Sequence, residues 1–371
     1  MKEIFMAGPW VTKEDSEIVM DAVSNGWYGK NAYYYVEKFE EEFAAFHNRN
    51  HALMTPNCTT AIHLLLAGLG ISDQDEVIAP DCTWIGSTAA IKYQRAKTIF
   101  ADIDPINWCI SLDSIKKLVT DKTRAVIAVD LYGNMPEFHK LKEFCDHQGI
   151  HLIEDAAEAL GSQLDGIKAG KFGVGSVFSF HRTKTITTGE GGMLLIDDQN
   201  LYERCKFLRD HGRKPGDYFN TEVTFKYMPF NLQAALGYAQ FLRIEEIVNK
   251  KIWILHTFKN FLQEEEQKIQ LNYEPKNVIN GAWSPVLVFN KDLKIDTQTA
   301  MEFIGKANLP SRPFFFPLSS LPAYDEQKKY ESINLNAYDI SSRGICLPSS
   351  LNLEEEQIEH YCKVLKTLLS S

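Results

Sequence analysis

This chain has little of what marks several protein classes. No apolar run approaches the roughly 18 residues that a membrane-spanning helix needs, so no membrane segment is expected. The opening MKEIFMAGPWVTKEDSE meets acidic residues and a proline before any apolar run of leader length, which predicts no secretory signal. Seven cysteines (Cys58, Cys82, Cys109, Cys145, Cys205, Cys346 and Cys362) are scattered, odd in number and never spaced C-x-x-C. That excludes a disulfide framework and a zinc knuckle and fits a reducing cytoplasm. Basic residues are not in excess: 39 Lys and Arg stand against 49 Asp and Glu, for a net charge of -10. Nucleic acid is therefore not expected as a main partner. With 44% hydrophobic residues, 22 Gly and 14 Pro, the composition is neither disordered nor collagen-like.

What is present is an alternation of helical patterns and short apolar runs. The 371 residues suffice for two domains of about 100 to 200 residues each. VTKEDSEIVMDAVSNG reads as a helix with Thr12 as N-cap and Gly26 as stop, and a second helix follows over about Val36 to Phe46. NCTTAIHLLLAGLG reads as a loop entering a helix. DEVIAP, AKTIFADID, TRAVIAVDLYG and IHLIEDAAEA then alternate with helical segments, the pattern of buried parallel strands in an α/β sheet. GVGSVFSF and GGMLLID flank the polar loop HRTKTITTGE, where the sheet is expected to end. From about residue 230 the chain becomes continuously helical and leads into a smaller part of strands and helices. A large domain over 1–245 and a small C-terminal α/β domain over 246–371 are predicted.

Ligands of such sheets gather at the carboxyl ends of strands, so the polar residues there are the candidates. Lys184 lies between two predicted buried strands; desolvation there would lower its pKa and free its amine for a Schiff base. Asp155 closes a strand, where it can cap a helix or hold the protonated ring nitrogen of pyridoxal phosphate. Asn57, Cys58, Thr59 and Thr60 at a helix start offer N–H groups, a hydroxyl and the dipole to a phosphate; plain N-capping by Asn57 or Thr59 uses the same pattern. Ser179 can add a hydroxyl. Trp84, after another strand end, is either a core residue or a ring stacked on a cofactor.

Taken in order, these segments resemble the DegT/DnrJ/EryC1/StrS family of pyridoxal-phosphate-dependent sugar-nucleotide aminotransferases over nearly the whole chain. SFHRTKTITTGEGGM is the most specific match. The resemblance implies an aspartate aminotransferase-like, fold type I architecture: a large, mostly parallel mixed sheet that binds the cofactor, and a smaller C-terminal α/β domain. It implies Lys184 as the Schiff-base lysine, Asp155 at the ring nitrogen, Glu158, in a position that is often Gln, near the cofactor hydroxyl, and Trp84 as the stacking ring. Cys58, Thr59 and Ser179 fall on phosphate-binding positions. Lys226 matches a position that reaches the cofactor phosphate of the neighbouring subunit, so a homodimer with shared active sites is implied. Two departures stand out: Asn57-Cys58-Thr59 replaces the family's Ser/Asn-Gly-Thr, and Pro317-Leu318-Ser319 replaces its Pro-Leu-His.

DLYGNMPEF, IEDAAEALGS and SRPFFFPLSSLPAY look most like the branch that converts GDP-4-keto-6-deoxymannose to GDP-perosamine with L-glutamate as donor, releasing 2-oxoglutarate. An acceptor of that kind carries a diphosphate, for which Arg312, Arg213, Lys214 and, less directly, Lys30 are candidates. The implied product enters a surface polysaccharide such as the O-antigen of lipopolysaccharide. Three other readings are open. A dTDP-linked 3-keto or 4-keto sugar can be the acceptor. A dehydratase on the same scaffold would carry His in place of Lys184. A regulatory or binding protein would be expected to lose Lys184 or Asp155, and both are present.

Overall fold

The computed structural model describes residues 2–213, 216, 218–324 and 326–370. Its first strands are β1 (His51–Thr55), β2 (Glu76–Pro80), β3 (Lys97–Ala101), β4 (Thr123–Val129) and β5 (His151–Asp155). A short hairpin of β6 (Gln163–Leu164) and β7 (Ile167–Lys168) comes before β8 (Gly175–Ser179) and β9 (Gly192–Ile196). The remaining strands are β10 (Ile269–Leu271), β11 (Val278–Ile279), β12 (Val286–Phe289), β13 (Arg312–Pro313) and β14 (Gly344–Cys346).

Seven strands form one sheet in the order β1-β9-β8-β5-β4-β2-β3. The β2–β3, β2–β4, β4–β5 and β5–β8 pairs are parallel, while β9 runs against both of its neighbours. The expected α/β fold with a mostly parallel mixed sheet is thus the one observed. Its strands are apolar throughout because both faces are covered. Ile78, Val126, Ala128, Leu152 and Phe178 pack against Phe39, Phe43 and Phe138 on one side. Their neighbours Val77, Ile127, Ile153 and Val177 pack against Leu64 and Leu65 on the other. Each such side chain contributes about 1.5–3 kcal/mol on burial, so a one-residue slip in any strand would exchange two filled cores.

A second sheet, β10-β12-β14-β13, is antiparallel and shares a core with the helices Ile244–Leu262, Thr297–Lys306 and Glu355–Leu369. Helix Ile244–Leu262 places Ile244 and Ile247 in the first core and Ile254 and Phe258 in this one. The third sheet, β11-β6-β7, ties residues 278–279 to the segment that follows β5. That tie brings a late stretch of chain beside the ends of the central strands.

Two local expectations are corrected. HALMT is a strand and the sheet's outer edge, antiparallel to β9, so the sheet does not end at GGMLLID. The long helical stretch is two helices, Asn231–Phe241 and Ile244–Leu262; Arg243 between them leaves helical geometry and its guanidinium meets the buried Asp15 at 2.9 Å.

His47, just past helix Tyr34–Phe46, is buried among Phe43, Phe46 and Phe178, with ring centroids 4.4, 4.9 and 4.7 Å away. Its Nδ1 donates to the Phe43 carbonyl oxygen at 2.9 Å, and burial pushes the imidazole down to about 3. Because the unfolded imidazole titrates near 6.5, the unfolded state binds the extra proton between about pH 3 and 6.5. Stability from this site is therefore present above that window and lost on acidification through it. His47→Phe is expected to lose less melting temperature than the wild type between pH 7 and pH 4; parallel losses would contradict the assignment.

Candidate active site

The carboxyl ends of β2, β4, β5 and β8 lie side by side in the sheet, and the residues following them converge. Asp155 ends β5 and is buried. Its Oδ2 accepts from Ser87 Oγ at 2.7 Å and its Oδ1 from the Ala157 N–H at 3.1 Å. Cys58 points its thiol at the same Oδ1 from 4.0 Å. Burial pushes the Asp155 carboxyl up, while Ser87, the Ala157 N–H and the nearby Lys184 charge pull it back.

Lys184 sits in the loop between β8 and β9, between two buried strands as expected. The loop is nonetheless rigidly held. Thr187 Oγ1 donates to the Phe180 carbonyl oxygen at 3.0 Å, and Gln240 bonds both the N–H and the carbonyl oxygen of Thr187. The Lys184 Nζ lies 3.1 Å from Glu158 Oε1, with the two side chains only 12% and 4% exposed. It also lies 3.8 Å from the centroid of the Trp283 ring. Glu158 takes a second donor, the Tyr132 N–H, at 2.9 Å on Oε2. Burial raises the Glu158 carboxyl; Lys184 and the Tyr132 N–H oppose that shift.

Helix Cys58–Gly68 begins at the same edge, capped by Asn57, whose Oδ1 accepts the Thr60 N–H at 2.9 Å. The first N–H groups of a helix lack partners within it and attract anions. Glycine is required opposite this start: a Cβ on Gly192 would lie 2.5 Å from Asn57 C and 2.6 Å from Cys58 N. On the other side, a Cβ on Gly86 would lie 3.0 Å from both Thr59 Oγ1 and Trp84 Cδ1. Trp84 is 62% exposed, its ring 6.1 Å from that of Phe315. Ser179 closes β8, its Oγ accepting the His181 N–H at 3.3 Å.

Other sequence candidates stand elsewhere. Lys226 and Arg213 both pair with Asp210, at 2.6 and 2.9 Å, rather than pointing to Lys184. Lys30 is exposed on the turn Gly29–Tyr33, and Lys214 lies outside the described residues. Arg312 is exposed on β13, near His181, whose imidazole is lowered first by burial and further by the Lys184, Arg182 and Arg312 charges, against Glu190. Ser319 is buried, its Oγ 2.7 Å from Asp81 Oδ2 and 2.9 Å from the Tyr338 hydroxyl.

The chain that brings this buried carboxylate, amine and helix start together matches a family model over residues 9–366. The chain belongs to the DegT/DnrJ/EryC1/StrS aminotransferase family. Pyridoxal phosphate is the family's cofactor, and the residues fit it: a carboxylate for a ring nitrogen, an amine for an aldehyde, and open N–H groups for a phosphate. Curated relatives in the family include GDP-perosamine synthase of Vibrio cholerae, 33% identical over 360 residues, covering 96% of this chain and 97% of the relative. GDP-perosamine synthase of Escherichia coli O157:H7 is 34% identical over 377 residues, with both chains fully covered. Among solved structures, Helicobacter pylori PseC, an aminotransferase involved in the biosynthesis of pseudoaminic acid, matches with a TM-score of 0.90 at 24% identity, covering 100% of both chains.

The sequence did not single out Ser87, Tyr132 or Trp283. Ser87 lies inside the IAPDCTWIGSTAAI segment and only folding brings it to Asp155. A hydrogen bond to a charged group contributes roughly 1.5–3 kcal/mol, so Ser87→Ala is expected to raise the Asp155 titration midpoint by about one pH unit or more. Carboxyl carbon NMR of the cofactor-free protein reads this, and an unmoved midpoint would contradict it.

Proposed function

We propose that this chain transfers the amino group of L-glutamate to the 4-keto carbon of GDP-4-keto-6-deoxymannose, giving GDP-perosamine and 2-oxoglutarate. The observation that carries the acceptor is the end-to-end identity of 33% and 34% with two relatives named GDP-perosamine synthase. The chemistry is supported by the Lys184 amine beside Glu158 and Asp155.

Bound in this site, pyridoxal phosphate supplies an aldehyde that takes up nitrogen and a ring that accepts an electron pair. Asp155, as carboxylate, holds a proton on the ring nitrogen. Lys184 Nζ takes the α-proton of glutamate and, in the second half of the cycle, delivers a proton to the sugar carbon that gains nitrogen. Glu158 orients that amine. Cys58, Thr59 and Ser179 bind the phosphate together with the helix start, and Trp84 covers the ring face. In a homodimer, Lys226 reaches the partner's site, and Arg312, Arg213 and Lys30 serve the sugar diphosphate. The division at 245/246 puts the Lys184 loop in the large domain and Arg312 in the small one. The reaction takes place in the cytoplasm, and its product goes to O-antigen.

Incubation with glutamate and a panel of keto sugars, products read by mass and NMR, tests the acceptor. Turnover of the GDP sugar to a 4-amino product is expected; turnover of dTDP-linked 3-keto or 4-keto sugars alone would overturn it. Lys184→Ala is expected to lower turnover by at least about a hundredfold, the scale of a lost proton-transfer group. Unchanged turnover would remove Lys184 from its role.

A further inference from the structure

Behind Lys184 three aromatic rings lie face to face. Trp283 and Tyr132 are 5.9 Å apart at an interplanar angle of 4°, and Tyr132 and Phe315 are 5.1 Å apart at 7°. The Lys184 Nζ rests over the Trp283 ring at one end of the row, and Trp84 approaches Phe315 at the other. Trp283 engages the lysine loop twice. Its face carries the amine, and its Nε1 donates to the carbonyl oxygen of Thr183, the residue before Lys184, at 2.8 Å.

The backbone of Trp283 is itself braced. Lys251 Nζ, fully buried, donates to the Trp283 carbonyl oxygen at 3.2 Å and to that of Ser349 at 2.5 Å. Burial, and then the Lys184 charge, push the Lys251 ammonium down to about 7.

Tyr132 is the other support. Its backbone is left-handed, with φ 56° and ψ 26°, a conformation that a bulky residue holds only where its surroundings enforce it. In that conformation its N–H meets Glu158 Oε2 while its ring backs Trp283. Asn272 fixes its carbonyl oxygen at 3.0 Å, and its hydroxyl accepts the Phe315 N–H at 3.0 Å. One strained residue thus orients both the carboxylate that pairs with Lys184 and the ring beneath the amine.

We infer that Trp283, backed by Tyr132, is a positioning residue that berths the Lys184 amine beside Glu158 whenever that amine is free of the cofactor. The inference rests on the proposed role of Lys184, which must let go of the cofactor, move a proton and return. An indole face attracts an ammonium through its quadrupole, which an aliphatic side chain of similar bulk does not. An amine held on that face loses less freedom on re-engaging than one released to solvent.

The full-length protein, stripped of cofactor and labelled with carbon-13 at lysine Cε, gives the test. The Lys184 signal is assigned by its loss in Lys184→Ala. Its ε-protons are expected upfield of those of the exposed lysines that face no ring, as are those of Lys168 over Phe46 and Lys250 over Trp253, and only the Lys184 signal is expected to return to the common range in Trp283→Leu. Acylation of Lys184 by acetic anhydride, referenced to the exposed Lys13, is expected to quicken roughly tenfold in Trp283→Leu and to stay within about threefold of wild type in Trp283→Phe, which keeps a ring face. A wild-type Lys184 signal among the surface lysines would overturn the berth even if Trp283→Leu failed to fold. Equal acylation rates in all three proteins would also overturn it. A fully active Lys184→Ala would instead defeat the catalytic reading while leaving this spectrum unchanged.

Discussion

The rest of the site depends on one buried ion pair, Lys184 with Glu158. Taking two charges out of water costs several kcal/mol per ion, and their attraction offsets that only where further hydrogen bonds complete the carboxylate. Glu158 has that second donor in the Tyr132 N–H, and Lys184 has the Trp283 face on its other side. Removing one member of such a pair leaves a lone buried charge, which typically destabilises by about 3–5 kcal/mol. The geometry of the lysine is accordingly set by the fold before any ligand arrives.

Around this pair the sheet carries an unusual load of buried acid. Glu154, on the opposite face from Asp155, is satisfied by the Gly170 and Phe172 N–H groups and by Ser176, with Arg49 close by. Asp130, the residue after β4, is fully buried and its carboxyl faces that of Glu154. Burial and the neighbouring Glu154 and Asp155 push its carboxyl far up.

Much of this was legible in the sequence, for physical reasons that differ by element. The central strands announce themselves because a sheet covered on both faces needs apolar residues at every position. Lys184 and Gly192 stand out because a lysine beside a run of glycines is a poor surface loop and a good approach to another backbone. The edge strand β1 was not evident, since its five residues gain their identity only from antiparallel pairing with β9, far along the chain. Ser87, Tyr132 and Trp283 were hidden for the same reason. Trp283 meets Thr183 across 100 residues and Ser87 meets Asp155 across 68, separations over which no spacing rule operates. Ser319, where the sequence departs from the expected Pro-Leu-His, has a buried hydroxyl bonded to Asp81, a contact across 238 residues that no local pattern announces.

The proposed role of Lys184 requires that this buried amine, and no other, carries the cofactor. Borohydride reduction of the holoprotein, followed by proteolysis and mass mapping of the phosphopyridoxyl label, tests it most directly. The label is expected on Lys184. Label on Lys251, the other buried lysine beside Trp283, or on no lysine at all, would contradict it.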